Sequence, residues 1–186
     1  QAGTLDDFYA GLQMQGRLTR NERATIPRVA QMTQKTNQFN LTTRRYTEAE
    51  IARFMDEGFV YALQVQDRFG DNGIVAAAVV VPVEGGARWA IDSFLMSCRV
   101  IMRTIEDALL AQIAEDARSA GIASLIGIYR PTPKNDLVKA FYRERGFAVQ
   151  RVNEQGEATY TLELASTEGP RPSPWLALIL EAAHRP

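Results

Sequence analysis

The spacing of hydrophobic residues along the chain distinguishes predicted helices from predicted strands. The N-terminal segment, residues 1–20, begins with an amphipathic stretch and then alternates, which predicts a short helix followed by a strand. Residues 24–37 and 47–58 repeat apolar positions at helical spacing, so each predicts a helix. The second of these begins with Thr47 and Glu50 in capping-box spacing and stops at a glycine.

A β-meander is predicted next. Residues 59–67 and 73–83 are rich in β-branched residues, and the sequence Asp-Asn-Gly at 71–73 is a strong signal for a hairpin turn between them. Residues 87–97 continue the meander as a third strand.

The second half of the chain alternates between helical and strand-like segments. A helix is predicted from about Ile101 to Ala120, followed by a short buried strand at 124–130. Residues 134–147 predict another helix that ends at a glycine, and residues 158–165 predict a late strand. The predicted order is two helices, three strands, and then helix, strand, helix and strand, which is typical of an α/β domain.

A proline-rich stretch suggests where this domain ends. We predict one domain over residues 1–165, a linker over 166–174, and over 175–186 either a C-terminal tail or a short apolar helix. In the domain, residues 1–20 are the least certain part, because their periodicity extends over few residues.

Composition excludes several classes of protein. The chain has 186 residues, of which 46% are hydrophobic, and its formal net charge of −1 provides no overall field that would attract nucleic acid or a membrane. The only cysteine, Cys98, and the only histidine, His184, exclude an internal disulfide and make a Cys/His metal site implausible, so we predict no metal. The chain has no apolar run of membrane-spanning length and no signal peptide, which together with the lone cysteine favours the cytoplasm.

One segment resembles the fourth helix of the GNAT (acyl-CoA N-acyltransferase) fold. It has an asparagine at its start, a tyrosine seven residues later and a closing Gly-Phe pair; these are Asn135, Tyr142, Gly146 and Phe147. The junction from Ser97 to Thr104 then corresponds to the place where that fold holds the pyrophosphate of CoA on backbone N–H groups at a helix N-terminus. The resemblance implies a mixed central sheet flanked by helices.

Four motifs in the same order resemble the C-terminal domain of FkbH-like proteins more specifically. They are TQKTNQFNLTTRRYTEAEI from Thr33, DRFGDNG from Asp67, DSFLMSCRV from Asp92 and YRPTPKN from Tyr129. Proteins of this family are glyceryl transferase/phosphatases in which a HAD-type phosphatase half precedes the GNAT-like half. The resemblance implies that a glyceryl unit from 1,3-bisphosphoglycerate passes through a cysteine thioester to the phosphopantetheine thiol of an acyl carrier protein, for polyketide-type biosynthesis.

The phosphatase half itself is expected elsewhere, in cis or in trans. It would need an Asp-x-Asp motif with a magnesium ion, and no such triplet occurs in these residues. We therefore expect no tightly bound cofactor here, and the phosphopantetheine arm of a carrier protein, or CoA, as the acyl carrier.

Cys98 is the candidate nucleophile. It is followed by Arg99 and Arg103 and precedes a predicted helix, and both cations and a helix N-terminus favour a thiolate. The alternative is that Cys98 packs at the end of a strand, because free cysteine is among the most buried residue types.

Two other residues are candidates for catalysis. Tyr142 is expected to protonate a leaving thiolate or bind the pantetheine sulfur, or else to pack on the sheet with its hydroxyl facing outward. Asp92 lies in an apolar run, where an acid needs a partner, and is expected to act as a base or to orient Arg99.

The predicted phosphopantetheine site combines residues from two segments: Arg99, Arg103, Thr104 and Asn135. Met102 stands where the GNAT fold usually has a glycine, and its side chain is expected to hinder tight CoA binding. Asn135 has a second interpretation, as the cap of its own helix.

The polar link between the second and third predicted helices is the candidate substrate site. Its donors suit a hydroxylated, phosphorylated three-carbon substrate; they are Asn37, Asn40, Thr42, Thr43, Arg44 and Arg45. A loop whose Asn and Thr side chains satisfy its own backbone has the same composition.

These observations predict the acyl-transfer half of a glyceryl-carrier-protein synthase. Two alternatives are a CoA-dependent GNAT N-acetyltransferase and a non-catalytic domain that docks the carrier protein. The expected partners are an acyl carrier protein, the substrate derived from 1,3-bisphosphoglycerate and the phosphatase half, with no nucleic acid and no membrane.

Overall fold

A mixed eight-stranded β-sheet runs through the chain, and the computed structural model describes residues 3–181. The strands are β1 (Met14–Arg20), β2 (Phe59–Asp67), β3 (Gly70–Val83), β4 (Arg88–Met96), β5 (Ser124–Tyr129), β6 (Ala148–Val152), β7 (Ala158–Glu163) and β8 (Leu176–Leu180). The helices are α1 (Leu5–Leu12), α2 (Ile26–Lys35), α3 (Glu48–Glu57), α4 (Ile105–Ser119) and α5 (Phe141–Glu144). No helix within residues 3–181 is long and apolar enough to cross a membrane.

The order of the strands in the sheet is β6-β7-β5-β4-β3-β2-β1-β8. Neighbouring strands are antiparallel, except that β4 pairs with β5 and β1 pairs with β8 in parallel. A parallel pair needs a crossover connection, and α4 provides it between β4 and β5.

Both faces of the sheet are covered by helices. On one face, Val29 of α2 and Ile51 of α3 are fully buried together with residues of β2 and β3. On the other face, Leu109 and Ile113 of α4 are fully buried with the remaining strands. Each such side chain contributes about 1.5 to 3 kcal/mol when it leaves water, so the helices hold the sheet from both sides. The predicted α/β fold, a mixed sheet flanked by helices, is confirmed.

The first hairpin is confirmed, but its turn lies earlier than predicted. Asp67 pairs with Gly70, so the turn is Arg68-Phe69, and the Oδ1 atom of Asp67 accepts a hydrogen bond from the Phe69 N–H at 2.8 Å. Gly73 lies inside β3, close to shifts in the β2–β3 register, and its φ of +70° explains why glycine is there.

The C-terminal half departs from the prediction in four places. Residues 134–147 form a 3₁₀ turn and the short helix α5, rather than one long helix. Residues 148–152 form β6, which was not predicted. The predicted apolar tail helix is wrong, because Leu176–Leu180 is strand β8, which pairs along the otherwise open edge of β1. The predicted linker, 166–174, packs on the body through Ser173, which is 7% exposed. His184 lies outside the described residues.

Candidate functional site

A cavity of about 810 Å³ opens between the C-terminal half of α2, the residues after β4 and the loop after β5. Four of its lining residues are basic, and we call them the basic cluster: Arg28, Lys35, Arg99 and Lys134. The other lining residues are Met32, Thr36, Asn37, Gln38, Phe39, Ser97, Cys98 and Pro133. None of the lining residues carries a carboxylate, so the cavity has an electropositive wall in a protein of nearly neutral charge.

The periodicity of α2 places its two cations on the cavity. Arg28, Met32 and Lys35 are spaced i, i+4 and i+7, and residues at this spacing share one face of a helix. Arg99 comes from the 3₁₀ turn after β4, where its Nε atom donates to the Ser97 Oγ atom at 3.3 Å.

Within residues 3–181, no acid forms an ion pair with a member of the basic cluster. Arg28 donates to the side-chain oxygen of Gln31 and to the backbone oxygen of Ile74, and Arg99 donates to Ser97 and to the backbone oxygen of Asn72. Burial lowers the pKa of Arg28, and the nearby positive charge of Arg99 lowers it further. The two guanidinium groups therefore repel each other, and a bound anion would relieve that repulsion.

Cys98 lies on the wall of this cavity and is exposed, so the interpretation of a packed thiol is wrong. It begins the short 3₁₀ turn Cys98–Val100, whereas α4 begins at Ile105. The predicted support from a helix N-terminus is also wrong, because the helix charge acts only within about one turn of its end. Only Arg99, of the two predicted arginines, lines the same cavity.

The expected pyrophosphate cradle, the loop that leads into α4, is occupied by contacts within the chain. The Nη1 atom of Arg103 forms an ion pair with Asp67 at 2.9 Å. The hydroxyl of Thr104 lies 2.5 Å from the hydroxyl of Ser173 in the C-terminal segment. Tyr9 donates its hydroxyl proton to the backbone oxygen of Met102 at 2.5 Å. Arg103 and Thr104 therefore already bond within the chain, which argues against their predicted contacts with phosphopantetheine.

The first turn of α4 also carries two carboxylates. The Nε atom of Arg145 lies 2.8 Å from Asp107, and its Nη2 atom lies 3.7 Å from Glu106. Burial raises the pKa of Glu106, and its Oε2 atom is buried without a hydrogen-bond partner among the described residues. Since negative side chains already occupy this helix end, the N-terminus of α4 does not fit a pyrophosphate.

A segment of the chain fills the opening between β4 and β5. These strands pair only up to Ile91 and Gly127, and beyond that point residues 39–42 lie between them. The Leu41 N–H donates to Phe94 of β4 at 3.1 Å, and the Leu41 carbonyl accepts from the Arg130 N–H at 2.8 Å. Ligands of α/β sheets often bind where neighbouring strands diverge, and here the chain's own backbone takes that place.

Asn135 holds this inserted segment. It is fully buried, and its Nδ2 atom donates to the backbone oxygens of Asn40 and Arg130, both at 2.9 Å. Its Oδ1 atom accepts from the Thr132 N–H at 2.8 Å. Neither predicted role fits this position, because the side chain makes no helix-cap hydrogen bond and is fully buried on partners within the loop after β5 and on the backbone oxygen of Asn40.

Asp92 has a different partner from the predicted one. It is the extra residue of a bulge, since β4 skips from Ile91 to Ser93 in its pairing with β3. Its carboxylate pairs with Arg44 and accepts a hydrogen bond from the Tyr46 hydroxyl at 2.6 Å. Asp92 therefore does not orient Arg99.

Asp92, Arg44 and Tyr46 bond to one another, and their contacts shift the pKa values of Arg44 and Tyr46. Burial lowers the pKa of Arg44, but Asp92, together with Tyr46 and Glu157, outweighs burial and the pKa is raised. Burial and the hydrogen bond to Asp92 raise the pKa of Tyr46 as well. Arg44 therefore stays charged and Tyr46 stays neutral at neutral pH.

Most of the predicted substrate donors serve the loop itself. Arg45 donates to the backbone oxygens of Thr33 and Thr36 and to the Asn37 side chain, and so closes the C-terminus of α2. The Oδ1 atom of Asn40 accepts from the Thr43 N–H at 2.9 Å.

Of the remaining predicted donors, Thr42 is buried, whereas Thr43 and Arg44 are half-buried. Thr42 donates to the backbone oxygen of Asp92 at 3.1 Å, and Arg44 is paired as described above. The hydroxyl of Thr43 is buried without a partner among the described residues. Of the six predicted residues, only Asn37 lines the cavity.

Tyr142 is part of the core. It is 1% exposed and packs against Phe141, Phe147 and Tyr160, and its ring lies so close to Gly127 that a Cβ atom there would approach to 2.6 Å. Burial raises its pKa, and its hydroxyl has no hydrogen bond of standard geometry among the described residues. Proton transfer to a thiolate is therefore not available from this position, and the hydroxyl does not face outward.

Sequence reasoning missed Arg28, Lys35 and Lys134. The helical spacing of Arg28 and Lys35 was a usable signal, whereas nothing near Lys134 in the sequence links it to α2. No group of three His, Cys, Asp or Glu side chains within residues 3–181 is arranged to hold a metal ion.

Comparisons with known proteins identify the fold. No family model and no curated protein matches the chain. Among solved structures, the ribosomal-protein-S18-alanine N-acetyltransferase of Escherichia coli is similar with a TM-score of 0.61 at 15% identity, over 82% of this chain and 96% of that one. Ard1 from Thermoplasma volcanium has a TM-score of 0.61 at 16% identity, over 80% of this chain and 97% of that one. The chain has the GNAT fold.

A third similar structure contains a ligand. The yncA protein of Salmonella typhimurium, solved with its cofactor acetyl-CoA, has a TM-score of 0.60 at 12% identity, over 82% of this chain and 96% of that one. At these identities the similarity shows the GNAT fold alone and not the substrates.

Proposed function

We propose that the chain is an acyltransferase in which the acyl group travels as a thioester, and that the reaction takes place at the cavity beside Cys98. The GNAT fold supports acyl transfer, because similar structures are acetyltransferases and one carries acetyl-CoA. The cavity supports the location, because it combines an exposed thiol with four cations.

The first form of this proposal is CoA-dependent transfer. It is the form that the similar structures favour. CoA would have to be held differently from the expected mode, since the N-terminus of α4 carries Glu106 and Asp107 and the opening between β4 and β5 is filled. The basic cluster is then the place that offers charge to its phosphates.

The second form is glyceryl transfer through Cys98, and one observation favours it: the exposed thiol of Cys98 in an electropositive cavity. In the first step the Cys98 sulfur attacks the carbonyl carbon of the acyl phosphate of 1,3-bisphosphoglycerate, the carbon–oxygen bond to that phosphate breaks, phosphate leaves and the thiol proton passes to solvent. The phosphoglyceryl group so formed becomes a glyceryl group when the phosphatase half hydrolyses its remaining phosphate ester with water and releases a second phosphate. In the second step the thiol of a carrier arm attacks the thioester. A new carbon–sulfur bond replaces the old one, and Cys98 is released.

Intact-protein mass spectrometry separates these forms. The protein and its Cys98→Ala variant are incubated with 1,3-bisphosphoglycerate, with and without a separately supplied phosphatase half, and in parallel with acetyl-CoA. A glyceryl adduct that hydroxylamine removes, present only on the native protein, supports transfer through Cys98.

The other outcomes are equally informative. Acetyl-CoA turnover that survives Cys98→Ala supports the CoA-dependent form. If no adduct and no turnover are found while a loaded carrier protein still binds, the acyltransferase proposal fails and the chain is a carrier-docking domain.

A further inference from the structure

The cavity has features of a binding site that the acyl-transfer step does not require. The Lys35 and Lys134 side chains form no hydrogen bond or ion pair with other residues in 3–181, and neither Arg28 nor Arg99 is paired with a carboxylate. Arginines elsewhere are mostly paired with acids, as Arg44 is with Asp92. Four cations without an acidic partner among the described residues thus line one concave place, whereas the other such cations, among them Arg68, Arg143 and Arg151, lie outside it.

We propose that the basic cluster binds the phosphate group of an organic phosphate and so places the rest of that molecule against Cys98. This inference concerns the cavity of the proposed function and rests on that function for the identity of the reaction. It adds the chemical class of the ligand and three residues, Arg28, Lys35 and Lys134, that were not among the predicted site residues.

The type of cation in the cluster suits phosphate. A phosphate monoester carries close to two negative charges at neutral pH and offers three acceptor oxygens. A guanidinium group matches two of these oxygens at once, and an ammonium group provides a compact charge from any direction. Two guanidinium groups and two ammonium groups therefore provide more positive charge and more hydrogen-bond donors than a ligand with a single carboxylate would need.

The shape of the cavity argues against a polymeric anion. Nucleic acid needs an extended basic surface, and the four cations here surround one cavity in a chain of net charge −1. A volume of about 810 Å³ lies within the usual range for small-molecule sites. The apolar side chains of Met32, Phe39 and Pro133 complete the lining and suit the organic part of the ligand.

Two of the gathered cations disfavour each other's charge. Arg28 is half-buried, and its charge is disfavoured by burial and by the proximity of Arg99. A phosphate dianion between these groups would remove the repulsion and replace lost hydration with charge-assisted hydrogen bonds. The same groups would bind a neutral ligand of equal size without this gain.

The test is titration calorimetry on the Cys98→Ser protein, in which acyl transfer through the thiol cannot contribute. The probes are inorganic phosphate, 3-phosphoglycerate, phosphopantetheine and CoA, at low and at moderate salt. Arg99→Gln and Lys35→Gln, both at exposed residues, are compared with Arg143→Gln. Arg143 is an exposed arginine without a described side-chain contact, which makes it a matched control.

We expect at least one organic phosphate to bind, with affinity at least tenfold lower in each cluster variant, unchanged in Arg143→Gln and weaker at higher salt. Preference for 3-phosphoglycerate would assign the phosphate to the substrate, and preference for phosphopantetheine or CoA would assign it to the acyl carrier. Equal affinity in the cluster variants and the control, or no binding of any probe at millimolar concentration, overturns the proposal.

The two proposals fail in different ways. If phosphate binding depends on the basic cluster but no adduct forms on Cys98, the thiol step is contradicted and the proposed binding site is supported. If an adduct forms on Cys98 but the cluster variants bind every probe as tightly as the control does, only the proposed binding site is contradicted.

Discussion

Two regions of this molecule contain the cations that an anionic ligand would need, and they differ in how those cations are used. At the N-terminus of α4, Arg103 and Arg145 are paired with Asp67 and with the two acids of the helix. In the cavity beside α2, the basic cluster has no acidic partner among the lining residues. A cation that already has a carboxylate stabilises the fold, whereas an unpaired one is available to a ligand.

The largest expected effect is on stability, at α4. Replacing Arg145 by alanine leaves two partly buried carboxylates without their cation and removes a guanidinium group that stacks on Phe141 at 4.2 Å. We expect the free energy of unfolding to fall by about 2 to 3 kcal/mol, measured by urea denaturation. Arg143→Ala, two residues away on the surface, is expected to change it by less than about 0.5 kcal/mol. Similar values for the two variants would mean that the α4 ion pairs do not hold the structure.

The next effect is on binding, in the cavity. Arg28→Gln is expected to lower the affinity for an organic phosphate about tenfold, which corresponds to about 1.4 kcal/mol. Stability should stay within about 0.5 kcal/mol of the native value, because the lost hydrogen bonds of Arg28 are offset by reduced repulsion with Arg99. A large loss of stability with unchanged affinity would mean that Arg28 stabilises the fold and does not bind the ligand.

A smaller effect is expected where the C-terminal segment contacts the loop before α4. Thr104→Val removes the hydrogen bond to Ser173 and keeps the shape of the side chain. We expect a loss of about 1 kcal/mol in unfolding free energy and no change in phosphate affinity. If phosphate binding weakened instead, the loop would be a ligand site after all.

The smallest effect depends on pH and comes from Glu106. Burial raises the pKa of its carboxyl above that of an unfolded glutamate, so the folded state favours the protonated form. Folding is therefore favoured at pH values below the ordinary glutamate pKa of about 4.3, and this contribution is lost as pH rises through the folded pKa.

The variant Glu106→Gln removes this titration. We expect it to be more stable than the native protein at pH 7, by less than about 1 kcal/mol, with the difference vanishing as pH falls below 4. Thermal unfolding of both proteins across this pH range measures the effect, and a gain that grows toward low pH would contradict it.

The contrast between the two regions also explains which predictions failed. The candidates Arg103, Thr104, Arg44 and Asn135 all have residue types that bind ligands, but each is already bonded within the chain. Cys98 remains a candidate because its surroundings leave it exposed. The type of a side chain is visible in the sequence, while its partners are up to about one hundred residues away and become neighbours only on folding.

The elements with local signals were predictable from the sequence alone. The capping box at Thr47 and Glu50, the helical spacing in α2 and α4, and the β-branched runs of the meander each depend on a few neighbouring residues, and together they indicated an α/β domain, whereas the mixed sheet was implied by the resemblance to the GNAT fold. Tertiary structure alone decided that 176–180 is a strand, because the open edge of β1 supplies its hydrogen-bond partners. It also decided which cations are free, since ion pairing depends on charges brought together from distant parts of the chain.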